Sequence, residues 1–251
     1  MGKYETRRLL SFIRQACQHY DMIHKGDKIA VGLSGGKDST ALLIALNEMR
    51  RFYPIPYEVI GITVDMGFAG MDFSPLAELC RENGIEYRVI ASDIAHVVFH
   101  IRNESNPCAL CAKMRRGVLH DAAKANGCNK IALGHHFDDA VDTFMLNLIH
   151  EGRLGTFSPV TYLSRKDITV IRPLLYAKEK DIQYFINHSE VHLIRSKCPE
   201  DKHTEREEIK KLISELDRRY DGFSHRVMNA IENANLSGYS PCVRKKRTKN
   251  E

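Results

Sequence analysis

The chain has 251 residues, of which 43% are hydrophobic and 27% charged, with a formal net charge of +5 at pH 7. These are ordinary globular values for a chain long enough to bury a sizeable core, and the modest basic excess permits an RNA partner without demanding one. No stretch approaches the roughly 18 continuous apolar residues of a membrane span, and the opening residues 1–8 lack a signal-peptide core, so the cytoplasm is the expected compartment and no membrane partner is expected.

The chain reads as four parts: an N-terminal helix over 1–27, a main domain over 28–175, a helical part over 176–240 and a basic tail over 241–251. Leu9, Leu10, Phe12, Ile13 and Ala16 recur at helical spacing and predict a helix over 3–20. A strand at about 28–33 runs into Gly32-Leu33-Ser34-Gly35-Gly36-Lys37-Asp38-Ser39, and a helix follows to about Arg51. A glycine turn between strand and helix aims backbone N–H groups at an anion. Ser34, Ser39 and Thr40 add hydroxyls and Lys37 adds positive charge, so the turn predicts nucleotide phosphates. Asp38 after Gly36-Lys37 breaks the Walker A pattern, and the dinucleotide G-x-G-x-x-G pattern is missing.

Further strands are predicted at 57–65, 85–90 and 130–134, and further helices at 74–83, 111–126 and 136–150. Residues 91–107 are ambiguous. This alternation means an α/β fold: a doubly wound parallel sheet with helices on both faces. Ligands in such sheets bind at the carboxyl ends of the strands, where Ser34, Asp65 and His135 should converge. A β-hairpin over 160–163 and 168–171 comes next. Helices at 178–188, 204–219 and 222–235 complete a small helical C-terminal part.

Two more constellations carry chemistry. Gly134-His135-His136-Phe137-Asp138-Asp139 opens a helix, and Asp138 shares a face with Asp142 four residues on. Carboxylates near a phosphate loop suit Mg²⁺, with Asp38, Asp138 and Asp139 as the expected ligands. Phe137 could stack on a base or adenine, or belong to the core. Cys108 and Cys111 form one Cys-x-x-Cys pair, compatible with zinc, an iron–sulfur cluster or a redox dithiol. Cys198-Pro199 is the best third ligand. Three thiolates with no obvious fourth suggest a 4Fe-4S cluster with one open iron. Of the seven cysteines, Cys17, Cys80 and Cys128 read as buried inert thiols and Cys242 is unassigned.

Ser34-Gly35-Gly36-Lys37-Asp38-Ser39 resembles the PP-loop of N-type ATP pyrophosphatases. With Cys108-Ala-Leu-Cys111, Gly134-His-His-Phe-Asp-Asp139, Ile171-Arg-Pro-Leu174 and Cys198-Pro199 in that order, the chain resembles the TtcA family of tRNA 2-thiocytidine synthetases over residues 5–200. Phe137 departs from it, standing where that family commonly has a basic residue. The resemblance implies ATP-dependent thiolation of cytidine 32 in tRNA, a 4Fe-4S cluster on Cys108, Cys111 and Cys198, and cleavage of ATP to AMP and pyrophosphate. Ser34, Gly35, Gly36, Lys37, Asp38, Ser39, Asp65 and His135 are then expected to bind ATP, with Lys37, Asp38 and Asp138 catalytic. Lys113, Arg115, Arg116 and Arg172 are expected to contact RNA, and the basic run 244–249 reads equally as a solubilising tail or an RNA contact. The expected partners are tRNA, a sulfur donor such as a cysteine desulfurase or free sulfide, and a second copy of the chain. Three other readings stand beside this one: a thiouridine synthetase for another tRNA position, a lysidine-type ligase and a non-catalytic iron–sulfur or zinc RNA-binding module. Cys108, Cys111 and Cys198 argue against the ligase, and Lys37 with Asp38 against the binding module.

Overall fold

A computed structural model describes residues 3–102, 107–189, 191–194, 197–198 and 205–242, with side chains from residue 7 on. Pro199 and the basic run 244–249 lie outside the described residues. The elements are α1 (Lys3–His19), β1 (Lys28–Gly32), α2 (Lys37–Met49), β2 (Glu58–Asp65), α3 (Ser74–Glu82) and β3 (Glu86–Ala91). A single turn, α4 (Ile94–His96), runs into a π-helix over Val97–Arg102. Then come α5 (Pro107–Ala125), β4 (Lys130–Ala132), α6 (Phe137–Glu151), β5 (Val160–Leu163), β6 (Ile168–Ile171), α7 (Glu179–Asn187), α8 (Glu205–Arg219) and α9 (Phe223–Asn233).

The six strands form one sheet in the order β3-β2-β1-β4-β6-β5, parallel except for the β5–β6 hairpin. Strand alternation divides the apolar residues between two cores. Ile29, Val31, Val59, Ala132 and Ile171 face one layer, built from α1, α2, α3, α6, α7, α8 and α9. Ala30, Ile60, Ile62, Ile131 and Ile168 face the other, where Leu119, Ala122 and Ala123 of α5 cover them. Helix α2 is apolar nearly all round because α1 and α7 pack on its outer side, and Leu42, Leu43 and Leu46 are wholly buried.

β1 lies between β2 and β4, so the chain winds one way from β1 to β3 and the other way from β4 onward. The switch point is the crevice between the carboxyl ends of β1 and β4, where open α/β sheets bind ligands. At the opposite end of the same strands, Lys130 Nζ and Asp27 Oδ2 form a buried ion pair of 2.8 Å. Lys130 also donates to Met22 O at 2.7 Å, and Asn129 Nδ2 donates to Asp27 Oδ1 at 2.7 Å. Beyond the sheet, Tyr20 and Tyr176 both donate to Glu232 at 2.9 Å, tying α1 to α9.

Candidate active site

The loop after β1 is held in shape by its own hydroxyls. Ser39 Oγ donates to Gly36 O at 3.2 Å and accepts from Ser34 N at 3.1 Å, and the two serine hydroxyls lie 3.0 Å apart. Gly35 takes a φ of +85°, a region that favours glycine. Gly36 caps α2 with extended backbone and no side-chain cap, which leaves a helix N-terminus facing the crevice for an anion. Thr63 Oγ1 on β2 braces the loop by donating to Leu33 O at 2.8 Å.

The turn after β4 meets this loop closely. A Cβ at Gly134 would lie 3.0 Å from Ser39 N and 3.1 Å from the Asp38 carbonyl carbon, so a side chain there would push the two segments apart by a few tenths of an ångström. Asp139 Oδ2 accepts from His136 N at 3.0 Å and steadies the start of α6. The buried His136 ring sits among three carboxylates, 3.5 Å from Asp138, 3.5 Å from Asp139 and 3.9 Å from Asp38. Asp38 Oδ1 is buried and has no hydrogen-bond partner.

A cavity of about 700 Å³ joins these parts. Ser34, Gly36, Asp38, Ser39, Gly134, His135 and Asp139 line it, and so do Cys111, Arg115, Arg116, Lys197 and Cys198. Phe68, Met71 and Phe73, from the loop after β2, also line it. Burial pushes the Cys111 thiol up; the Arg115 guanidinium pulls it down, and the nearby Cys198 and Cys108 sulfurs raise it further. Of the three predicted cysteines, Cys111 and Cys198 line the cavity and Cys108 does not. Cys108 is exposed, one helical turn before Cys111 on α5. Among the described residues no three His, Cys, Asp or Glu side chains converge on a single metal-binding point. The donor chemistry fits an iron–sulfur cluster, since Cys111 and Cys198 supply soft sulfur donors to one cavity and Cys108 lies one helical turn from Cys111. Cys17, Cys80 and Cys128 are buried, and burial pushes their thiols up to about 12, 11 and 11 respectively.

Several predicted residues stand elsewhere than expected. Lys37 does not line the cavity: its ammonium lies 2.8 Å from Glu179 of α7 and 3.3 Å from Asp38. Asp138 accepts from Glu179 N at 2.6 Å and so caps α7. Asp65 accepts from Gly67 N at 2.9 Å and organises the turn after β2. Arg172 donates to Ser158 O and lies 5.1 Å from the Phe157 ring, turned toward the hairpin. Phe137 is core: it is buried, with the Lys178 ammonium 5.1 Å from its ring and the His225 ring at 4.9 Å. Lys113, Arg115 and Arg116 are exposed on α5. His135 packs on Phe157, and burial, with the Arg172 charge, holds its ring down at about 4.

Asp142 is the outlier of this cluster. Burial pushes its carboxyl up to about 7, although Lys210 and Arg206 pull it down. The folded state therefore binds a proton that the unfolded chain, with an ordinary carboxyl near 4, has lost. Stability falls as pH rises between those two values. We expect Asp142→Asn to abolish a loss of about 1 kcal/mol between pH 6 and 8. Denaturant midpoints of both proteins across that range test it, and parallel profiles would refute it.

The fold and this crevice define a nucleotide-binding α/β protein with a phosphate loop at the switch point and two cysteines lining the same cavity. A family model for the PP-loop domain matches residues 5–216. The chain is 39% identical over 213 residues to the tRNA-cytidine(32) 2-sulfurtransferase of Syntrophotalea carbinolica, covering 84% of this chain and 82% of that one. It is 34% identical to the protein of the same name from Geobacter sulfurreducens, over 90% of both chains. Among solved structures it is similar to the U34-tRNA thiolase NcsA from Methanococcus maripaludis with its 4Fe-4S cluster. That match has a TM-score of 0.76 at 25% identity and covers 92% of this chain and 78% of the other. The chain belongs to the PP-loop family, in the branch of the tRNA-cytidine(32) 2-sulfurtransferases.

Proposed function

We propose that this protein is an ATP-dependent tRNA sulfurtransferase that converts cytidine 32 to 2-thiocytidine. The observation that carries the reading is that the phosphate loop and Cys111 with Cys198 line one cavity. A pyrimidine carbonyl oxygen is a poor leaving group, so replacing it with sulfur requires activation. The oxygen attacks the α-phosphorus of ATP, the bond to the β-phosphate breaks and pyrophosphate leaves. Sulfide then bonds to the activated carbon, the carbon–oxygen bond breaks and AMP departs.

The backbone N–H groups at Gly36–Ser39 receive the phosphates and stabilise the charge that develops there. Lys37 adds its ammonium. Asp38 and Asp139, both among the residues that line the cavity, would hold Mg²⁺, and the buried, unpartnered Asp38 Oδ1 suits a cation. That ion would neutralise phosphate charge. Cys108, Cys111 and Cys198 would hold a 4Fe-4S cluster, which supplies a site for sulfur when bound. Arg115 and Arg116 position the RNA backbone at the mouth without reading sequence. An anticodon loop suits this cavity because unpaired bases are extruded at a cost of a few kcal/mol. We assign the sulfur to free sulfide or a cysteine desulfurase, the active form to a homodimer and the compartment to the cytoplasm. Among the described residues no helix is long and apolar enough to cross a membrane.

Nucleoside mass spectrometry of tRNA from a deletion strain should show loss of 2-thiocytidine, and complementation with this chain should restore it. The similarity to a U34 thiolase supports a second position. Unchanged 2-thiocytidine with loss of a thiouridine would therefore move the substrate there. In vitro with tRNA, ATP should yield AMP and pyrophosphate, and ADP as the main product would remove the adenylation step.

A further inference from the structure

Lys37 is one residue inside α2, and its neighbours Gly36, Asp38 and Ser39 all line the cavity. Lys37 itself does not line the cavity; its ammonium lies between two carboxylates, 2.8 Å from Glu179 Oε1 and 3.3 Å from Asp38 Oδ2. Glu179 is the first residue of α7, and its backbone is fixed, since its N–H donates to Asp138 at 2.6 Å. Phe137 N donates to Ala177 O at 3.0 Å, which secures the same corner. What can move there is the lysine stem, four methylenes long and freely rotating. The other carboxylate oxygen, Glu179 Oε2, already has a cation beside it: Lys210 Nζ of α8 at 3.6 Å.

We infer that Glu179 is a positioning residue for the ATP step: it parks Lys37 on α7 in the nucleotide-free protein and releases it to the phosphates when ATP enters. The inference rests on reading the loop after β1 as the ATP site. Three features support it. The partner carboxylate is within contact distance, so Lys37 is held in one place before ATP arrives. Lys210 remains beside Glu179 afterwards, so release leaves no uncompensated charge in a half-buried site, which would be costly. The exchange is an ion-pair swap, with no bond made or broken. Both groups stay charged throughout. The Lys37 hydrogen bonds to Glu179 lower the Glu179 carboxyl, and although burial lowers the Lys37 ammonium, Glu179 and Asp38 raise it further.

An acid in the first turn of a helix is favoured by the helix dipole whatever else it does, and Glu179 stands in the first turn of α7. The ion pair becomes visible only when α7 is seen packed on α2.

The test is calorimetric binding of α,β-methylene ATP, which cannot be cleaved between the α- and β-phosphates. A partly exposed ion pair is worth little, so Glu179→Gln should tighten binding only about three- to tenfold. Lys210→Met should weaken it by a similar factor, because Glu179 then holds Lys37 alone. In a Lys37→Met background the effect of Glu179→Gln should vanish, which separates the parking role from plain repulsion between Glu179 and phosphate. Equal or weaker binding by Glu179→Gln overturns the inference, as does tightening that persists without Lys37. If Glu179→Gln fails to fold, Lys210→Met decides alone, and unchanged binding there overturns the inference. The assay uses no tRNA, so its outcome is independent of whether 2-thiocytidine is the product.

Discussion

Gly134→Ala should fold and yet form AMP about 100-fold more slowly than the unaltered protein, as a displacement of reacting groups by an ångström can do. The added methyl would lie 3.0–3.1 Å from backbone atoms of Ser39 and Asp38, with no flexible side chain in the way that could move aside. Either the turn after β4 retreats or the start of α2 does. Both carry groups that face the phosphates, so alignment is lost while the cores behind them stay filled. Gly117→Ala is the control: it sits on α5 with open space around its would-be methyl. Alanine there should leave AMP formation unchanged and raise stability by about 0.5–1 kcal/mol, the ordinary gain in a helix. Single-turnover AMP release with tRNA, beside thermal unfolding, measures both. A Gly134→Ala enzyme running at the normal rate would show that this contact has slack.

Lys130→Met should destabilise the protein by about 3–5 kcal/mol, the usual cost of leaving one member of a buried ion pair behind. Asp27 and Lys130 are both almost wholly buried. Burial alone would raise the Asp27 carboxyl, but His24 N–H, Lys130 and Asn129 outweigh it and hold the group below its usual value. The pair's contribution is therefore fully present above the ordinary carboxylate range and lost as pH falls through the lowered native value. Adding Asp27→Asn to Lys130→Met should recover part of the loss, because the stranded charge is then gone. Urea titrations of the three variants at neutral pH measure this. A loss below about 1 kcal/mol for Lys130→Met would mean that the carboxylate finds water instead.

The sequence was most legible where local pattern and long-range packing agree. The hairpin falls at 160–163 and 168–171 as its alternation predicts, and the strand–loop–helix around Ser34–Ser39 has its expected form. Helix α5 begins at Pro107 rather than Cys111, because proline is well suited to a first helical position. Residues 97–102 were ambiguous because a π-helix has no 3.6-residue signature to read. The side-chain partners were the least legible part. Phe137 looks like a residue free to stack until α9 is folded over it, and Arg172 looks free until the Ser158 carbonyl reaches it. Lys37 facing Glu179 spans most of the main domain in sequence. Distances of that kind come from topology and leave no mark on local composition.

Strand β4 has only three residues, yet it begins at Lys130 and leads within two residues of its end to Gly134. A slip of one residue would turn Ile131 out of one core and Ala132 out of the other, and three residues offer little ladder to resist it. The Asp27–Lys130 pair acts as a register pin at the foot of this short strand, and the height of the turn above it is set by that pin. Durability and catalytic alignment thus share one mechanical element. Variants that loosen the foot should therefore lose alignment at the top before they unfold.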